Sequence, residues 1–268
     1  MKQFSLDEIK TFQLEMLNKI AGYCDSNNLT YFLAFGTLLG AVRHKGYIPW
    51  DDDIDIVMPR RDYTMFLEHF NGQIPNLLVV APEMDPDYYA PYANVYDDRT
   101  LLVEEIVSHG KLEIGVKIDV FPLDFVPTDK KLYSELWKRS KSDLHKLFVK
   151  TKKLSFCHGL ERVKLAIKKI QYLFYSVKGI QKRHLRLLND KRYKSNGPMV
   201  DTVALTLGHE TALPLDCYLP VKKLAFEGYD FCVPNDWDKF LKKIYGDYMK
   251  LPPESERVAK HRFIAYWK

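Results

Sequence analysis

From Asp53 to Met58 the chain reads DIDIVM, a strict alternation of carboxylate and aliphatic residues before Val57. A β-strand points successive side chains to opposite faces. Ile54, Ile56 and Met58 then enter a core, while Asp53 and Asp55 project side by side. Asp51 and Asp52 add to them, giving four carboxylates within five residues. Ionised carboxylates this close repel, and a divalent cation is the cheapest way to keep them ionised. An all-oxygen site with room for water suits Mg²⁺ or Mn²⁺ rather than zinc. A solvated acidic strand end is the competing reading.

The preceding sequence favours the cation. TYFLAF is a short apolar run of the kind that makes a buried strand, and GTLLGAVR after it resumes helical character, with Gly36 at the turn and Thr37 as the expected cap. A helix N-terminus behind a glycine turn offers backbone N–H groups and a positive dipole end, which suit a phosphate. Arg43, His44 and Lys45 would add charge-assisted contacts to phosphate oxygens. A catalytic site needs a third carboxylate, as a base for an attacking hydroxyl, a ligand of a second metal, or both. Asp119, inside the apolar run of VKIDVFPLD, is the candidate, since a buried aspartate is costly unless paired or coordinated. Asp124, beyond Pro122, is expected to cap a turn.

Around this centre the pattern predicts an α+β fold: a nucleotidyltransferase-like mixed sheet flanked by helices, with a basic helical part appended. Ser5 and Glu8 form a capping box for a helix running to about Asp25. Strands are expected at NLLVVA, YANVYD, TLLVEEI and VKIDVF. Helices follow at roughly Lys131 to Lys150, Glu161 to Val177 and Ile180 to Tyr193, then short strands at VDTVAL, KLAFEG and YDFCVP and a helix at DWDKFLKKIYG. The organisation reads as a catalytic core over 1–128, a basic helical region over 129–198 and a C-terminal part over 199–268 that completes the site.

Between Asp129 and Arg192 there are 19 Lys or Arg against 5 Asp or Glu, so this segment carries the chain's basic excess. It is either a solvated helical surface or a contact for an anionic partner. Within it RVKLAIKKIQYLFYSVKGIQK fits an amphipathic helix lying on anionic lipid, and equally a helix with its apolar residues in the core and its lysines outward. The four cysteines make no CxxC pair and no dense framework, as in a reducing compartment. With no signal-peptide pattern and no long apolar run, the expectation is a cytoplasmic protein, peripheral at most on the inner face of a membrane.

The motif GTLLGAVRHKGYIPWDDDIDI, with IDVFPLD downstream and YGDYMKLPP, Arg257 and His261 near the end, resembles the LicD family of phosphocholine transferases. More remotely it resembles nucleotidyltransferase-fold enzymes and fukutin-type phosphosugar transferases. The likeness covers nearly the whole chain and is weakest over the basic helices. It implies that Asp53 and Asp55 are the metal pair, that Asp119 is the third acidic residue, and that Gly36 and Thr37 form the phosphate-side turn. Asp51 and Asp52 match its acidic cluster; which of them reaches a metal stays open, with Asp51 the candidate for an additional ligand. Tyr245, Asp247, Arg257 and His261 become substrate-side candidates.

The reaction implied is Mg²⁺- or Mn²⁺-dependent transfer of phosphocholine from CDP-choline to a sugar hydroxyl of a glycan precursor, of teichoic acid or lipopolysaccharide type, with a lipid-linked acceptor and no nucleic acid. Choline has no hydrogen-bond donor and calls for aromatic faces, for which Trp50, Tyr88, Tyr89, Tyr92 and Tyr96 are candidates. Three other readings compete. A DxD glycosyltransferase normally has a larger nucleotide-binding region before its motif than the 52 residues available here. A small-molecule nucleotidyltransferase would release pyrophosphate, and a non-catalytic module would only bind an anionic polymer.

Overall fold

The computed structural model describes residues 2–110, 112–195, 197–202, 210–258 and 263–268. The expected capping box opens the first helix, α1 (Leu6–Ser26). The Ser5 hydroxyl accepts from the Glu8 N–H at 3.2 Å, and the Glu8 carboxylate accepts from the Ser5 N–H at 2.8 Å. Ile9, Met16, Leu17 and Ile20 form its buried stripe. There follow β1 (Phe32–Leu33), α2 (Phe35–Arg43), β2 (Asp55–Pro59), α3 (Arg60–His69), β3 (Leu77–Val80), β4 (Ala93–Asp97), β5 (Thr100–Glu104) and β6 (Lys117–Phe125). The basic segment forms α4 (Lys130–Thr151), α5 (Gly159–Gln171) and α6 (Val177–Leu188). The rest contributes β7 (Met199–Asp201), β8 (Leu213–Pro214), β9 (Lys222–Phe226), β10 (Tyr229–Val233), α7 (Trp237–Tyr245) and β11 (Phe263–Trp267).

These elements make the expected α+β fold. The main sheet runs β1-β2-β6-β4-β3, with β2 and β6 parallel and the other neighbours antiparallel, while β7 and β8 extend it from β6. β5 pairs with β11, and β9 with β10, as separate ribbons. One continuous apolar core joins α1, β2, β6 and α3 to Phe226, Phe231, Phe240 and Ala265 from the end of the chain. The basic helices have smaller cores of their own. Tyr133 and Leu136 pack with Leu187 and Tyr193, and Val149 with Cys157 and Leu165.

Several local expectations change. TYFLAF yields only a two-residue strand because the backbone turns at Phe35, whose φ is +45°, and the helix starts there, one residue before Gly36. Ala34 is therefore the N-cap, and Thr37 lies inside the helix instead of capping it. Asp124 caps no turn; it stays in β6, and both its oxygens accept from Arg60 at 2.6 and 2.8 Å. The predicted helix over Glu161 to Val177 ends at Gln171, and Ser176 caps a new one. The second half of VDTVAL, 203–205, lies outside the described residues. All four cysteines are buried free thiols. No described helix is long and apolar enough to cross a membrane.

Candidate active site

Parallel pairing of β2 with β6 sets Asp55 opposite Asp119. Backbone bonds fix that register: the Asp119 N–H donates to the Ile54 carbonyl at 3.0 Å, and the Ala34 N–H donates to the Asp55 carbonyl at 3.0 Å. Thr37 adds a side-chain tie, its hydroxyl accepting from the Asp55 N–H at 2.8 Å. The N-terminus of α2 is thereby locked to the acidic strand, and no side chain caps it. Its first-turn N–H groups remain donors for an anion.

The aspartates before β2 cluster together, and two of them, Asp51 and Asp53, share a cavity with Asp55. The Asp51 N–H bonds the Ile48 carbonyl at 2.9 Å, and the buried Gln13 amide donates to the carbonyls of Asp52 and Lys117 at 3.3 and 3.1 Å. Asp51, Asp52 and Asp53 each place a carboxylate oxygen within 4.8 Å of the others. Gly36 makes room for them, since a Cβ there would lie 2.6 Å from Asp51 Oδ2. Gly36, Asp51, Asp53 and Asp55 line one side of a cavity of about 480 Å³, and Tyr245 and Asp247 also line it.

The charge balance is strongly negative. Burial, and then the carboxylates of Asp53, Asp119 and Asp51, push the Asp55 pKa well up, and Lys117 opposes them. Lys117 is itself committed: its ammonium donates to Asp119 Oδ1 at 2.9 Å and lies 3.7 Å from Glu104. Burial works against that charge, but Asp119 and Glu104 outweigh it and hold its pKa above the ordinary lysine value. The Asn94 amide donates to the same Asp119 Oδ1 at 2.5 Å and is oriented by the hydroxyls of Tyr88 and Tyr89. Neither bond to Asp119 engages Oδ2. Tyr245 shares the acidic field; burial, then Asp55, Asp51 and Asp53, raise its pKa. These carboxylate oxygens, with no histidine or cysteine lining the cavity among the described residues, are a donor set of the type hard divalent cations take.

Arg43 reaches the cavity, and its guanidinium donates to the Tyr248 carbonyl at 2.9 Å and to His44 Nε2 at 2.9 Å. Burial and then Arg43 depress the His44 pKa, so the imidazole accepts that bond in its neutral form. Lys45 is exposed on the loop and does not line the cavity; its carbonyl accepts from the Glu227 N–H at 2.9 Å. Trp50 lines the cavity with the Arg257 guanidinium 5.7 Å from its ring centre, and Arg257 donates to the Pro252 carbonyl at 2.9 Å. His261 lies outside the described residues. Of the five aromatic candidates, Trp50 alone lines this cavity. Tyr88 and Tyr89 serve Asn94, Tyr92 packs on Phe121 at 4.2 Å, and Tyr96 is on β4.

Lys117, Asn94 and Gln13 went unnoticed in the sequence. Only Lys117 carried a signal, because it precedes Asp119 by two residues and so shares its face of β6.

Residues 28–158 match a family described as LicD/FKTN/FKRP, nucleotidyltransferase domain. Over 99% of its length the chain is 30% identical to a lipopolysaccharide cholinephosphotransferase LicD of Haemophilus influenzae, of which it likewise covers 99%. A shorter likeness, 42% over 66 residues, links it to an uncharacterised Rickettsia typhi protein, covering 24% of this chain and 21% of that one. With the acidic motif, its partner strand and this end-to-end similarity together, the chain belongs to the LicD family.

Proposed function

We propose that the protein transfers phosphocholine from CDP-choline to a sugar hydroxyl of a cell-surface glycan precursor, of lipopolysaccharide or teichoic acid type, and releases CMP. The observation that carries this reading is the pairing of Asp55 with Asp119 across β2 and β6, beside Asp51 and Asp53 and the uncapped start of α2. The acceptor oxygen forms a bond to the choline-bearing phosphorus, and the bond from that phosphorus to the oxygen leaving with CMP breaks. Asp119, whose Oδ2 neither Lys117 nor Asn94 engages, takes the hydroxyl proton. The α2 N-terminus and Arg43 hold diphosphate oxygens, and the exposed part of Trp50 offers an aromatic face to the choline cation.

Asp53, Asp55 and Asp119, with Asp51, are the residues that would hold Mg²⁺ or Mn²⁺. The fit rests on the carboxylates of Asp51, Asp52 and Asp53, whose oxygens gather within 4.8 Å of one another, and on carboxylate repulsion at the neighbouring Asp55 that one buried ammonium does not balance. When bound, such ions neutralise charge on entering and leaving oxygens. Four free thiols support placing the reaction in a reducing, cytoplasmic compartment.

The test is incubation with CDP-choline, Mg²⁺ and a panel of glycan precursors, beside Asp53→Ala and Asp119→Ala. CMP release with phosphocholine on the glycan supports the reading. Pyrophosphate with nucleotide on the acceptor, or no turnover with any acceptor, overturns it.

A further inference from the structure

The sequence left open whether the apolar residues of the basic segment face inward or outward, and α5 has them facing outward. Leu165 packs on α4 with Val149 and Cys157. On the opposite side of the helix Leu160, Val163, Ile167 and Ile170 recur three or four residues apart, and Phe174 continues the line in the turn beyond. They are 78, 54, 51, 71 and 96% exposed. Single exposed apolar residues are ordinary, whereas a row of five along one helix face is a contact surface.

Charge selects its occupant. Lys164 and Lys168 border the row on one side and Arg162 lies toward the other, all exposed. The one acid on α5, Glu161, is bound to Lys152 at 2.7 Å. The segment from Asp129 to Arg192 carries 14 net positive charges, and the remainder of the chain 9 net negative ones. A second copy docked by a two-fold axis would bring these cations against themselves. A surface that is apolar below and anionic above satisfies both parts of the pattern.

We propose that α5 and Phe174 form a membrane-docking element, with the apolar row immersed among the acyl chains of an anionic bilayer and Arg162, Lys164 and Lys168 at its headgroups. This rests on the proposed function to the extent that docking serves a lipid-carried acceptor. The element adjoins the residues that support the site from behind: His145 and Phe148 of α4 line the groove beneath α5 and also a cavity of about 400 Å³ lined by Tyr89 and Tyr92. Tyr89 bonds Asn94 at 3.1 Å, and Asn94 bonds Asp119.

The test uses the full chain and phosphatidylcholine vesicles with or without one-third phosphatidylglycerol. Wild type should sediment with the anionic vesicles only, and Ile167→Asp/Phe174→Asp should bind at least about tenfold more weakly. A Phe174→Trp protein should show blue-shifted emission on anionic vesicles. Release of CMP with a water-soluble acceptor, measured without vesicles, should be the same in the double variant and wild type. That assay judges the reaction separately from docking. Absence of wild-type binding at low salt, equal binding by the double variant, or a wild-type dimer that the double substitution dissociates would each overturn the proposal.

Discussion

Asp55 and Asp119 occupy paired positions on adjacent parallel strands, in a sheet whose other neighbouring strands are antiparallel. Parallel pairing brings together the starts of two strands that are distant in sequence, so both carboxylates emerge at one end of the sheet, beside α2. Asp55→Asn keeps the shape and removes the charge. Transfer should fall at least about a thousandfold, equivalent to about 4 kcal/mol of barrier. In EDTA the variant should melt above wild type, because three neighbouring carboxylates no longer oppose a buried fourth. Added Mg²⁺ should raise the wild-type melting temperature and leave the variant nearly unchanged. Thermal melts with and without the ion decide it, and an equal response in both proteins removes Asp55 from the ion site.

Gly36 and Gly40 lie one turn apart on α2, and substitution should have different effects at the two. An added Cβ at Gly36 meets the end of the Asp51 side chain, which can swing away. Gly36→Ala should therefore change stability by less than about 1 kcal/mol while slowing transfer at least about tenfold. At Gly40 the obstacle is the backbone carbonyl of Gly46, which cannot yield without moving the loop. Gly40→Ala should cost about 1–3 kcal/mol in urea unfolding. Equal stability losses in the two variants would refute the distinction.

The acidic wall was legible in part because a period of two is a local property: Asp55 follows from alternation and Asp119 from its place in an apolar run, whereas β2 begins only at Asp55, so Asp53, expected on the strand, reaches the cavity from the segment before it. Lys117 has the same spacing from Asp119, but a lysine at a strand end ordinarily faces solvent, and it takes Glu104 of β5, distant in sequence, to complete its buried partnership. β11 pairs with β5, far back in the chain, so nothing in its neighbourhood announces it. The Thr37 cap failed for a local reason: a positive φ at Phe35 starts the helix early. For α5 both orientations satisfied the periodicity, and the docking of Leu165 on α4 decided between them.

His184 gives the helical part a pH dependence. It is buried, its Nε2 lies 2.9 Å from the Ser140 hydroxyl, and its Nδ1 has no partner among the described residues. Burial is the main cause that lowers its pKa from 6.5 to about 4; Asp143 and Asp124 oppose the shift, while Arg60 and Arg183 add to it. The unfolded chain then takes up a proton near pH 6.5 that the fold refuses until about pH 4. Stability is full above the first value and falls as pH drops toward the second, by roughly 3 kcal/mol. Urea unfolding across this range should show the slope in wild type and a shallower one in His184→Gln. Parallel slopes would assign the acid sensitivity to other groups.

Lys117 opposes the carboxylate field at Asp55, and its ammonium is shared by Asp119 and Glu104. A buried pair of this kind is worth little when both partners are replaced by neutral groups, but removing one strands the other without compensation. Lys117→Met should therefore cost about 3–5 kcal/mol in metal-free buffer. Adding Asp119→Asn to it should restore part of the loss, because the stranded carboxylate is gone, although transfer stays abolished. Asp119→Asn alone should destabilise less than Lys117→Met, since the ammonium keeps Glu104. The double-mutant cycle, read by urea unfolding, isolates the coupling. Additive losses would mean that Lys117 and Asp119 do not interact, and the electrostatic account of the site would fail with them.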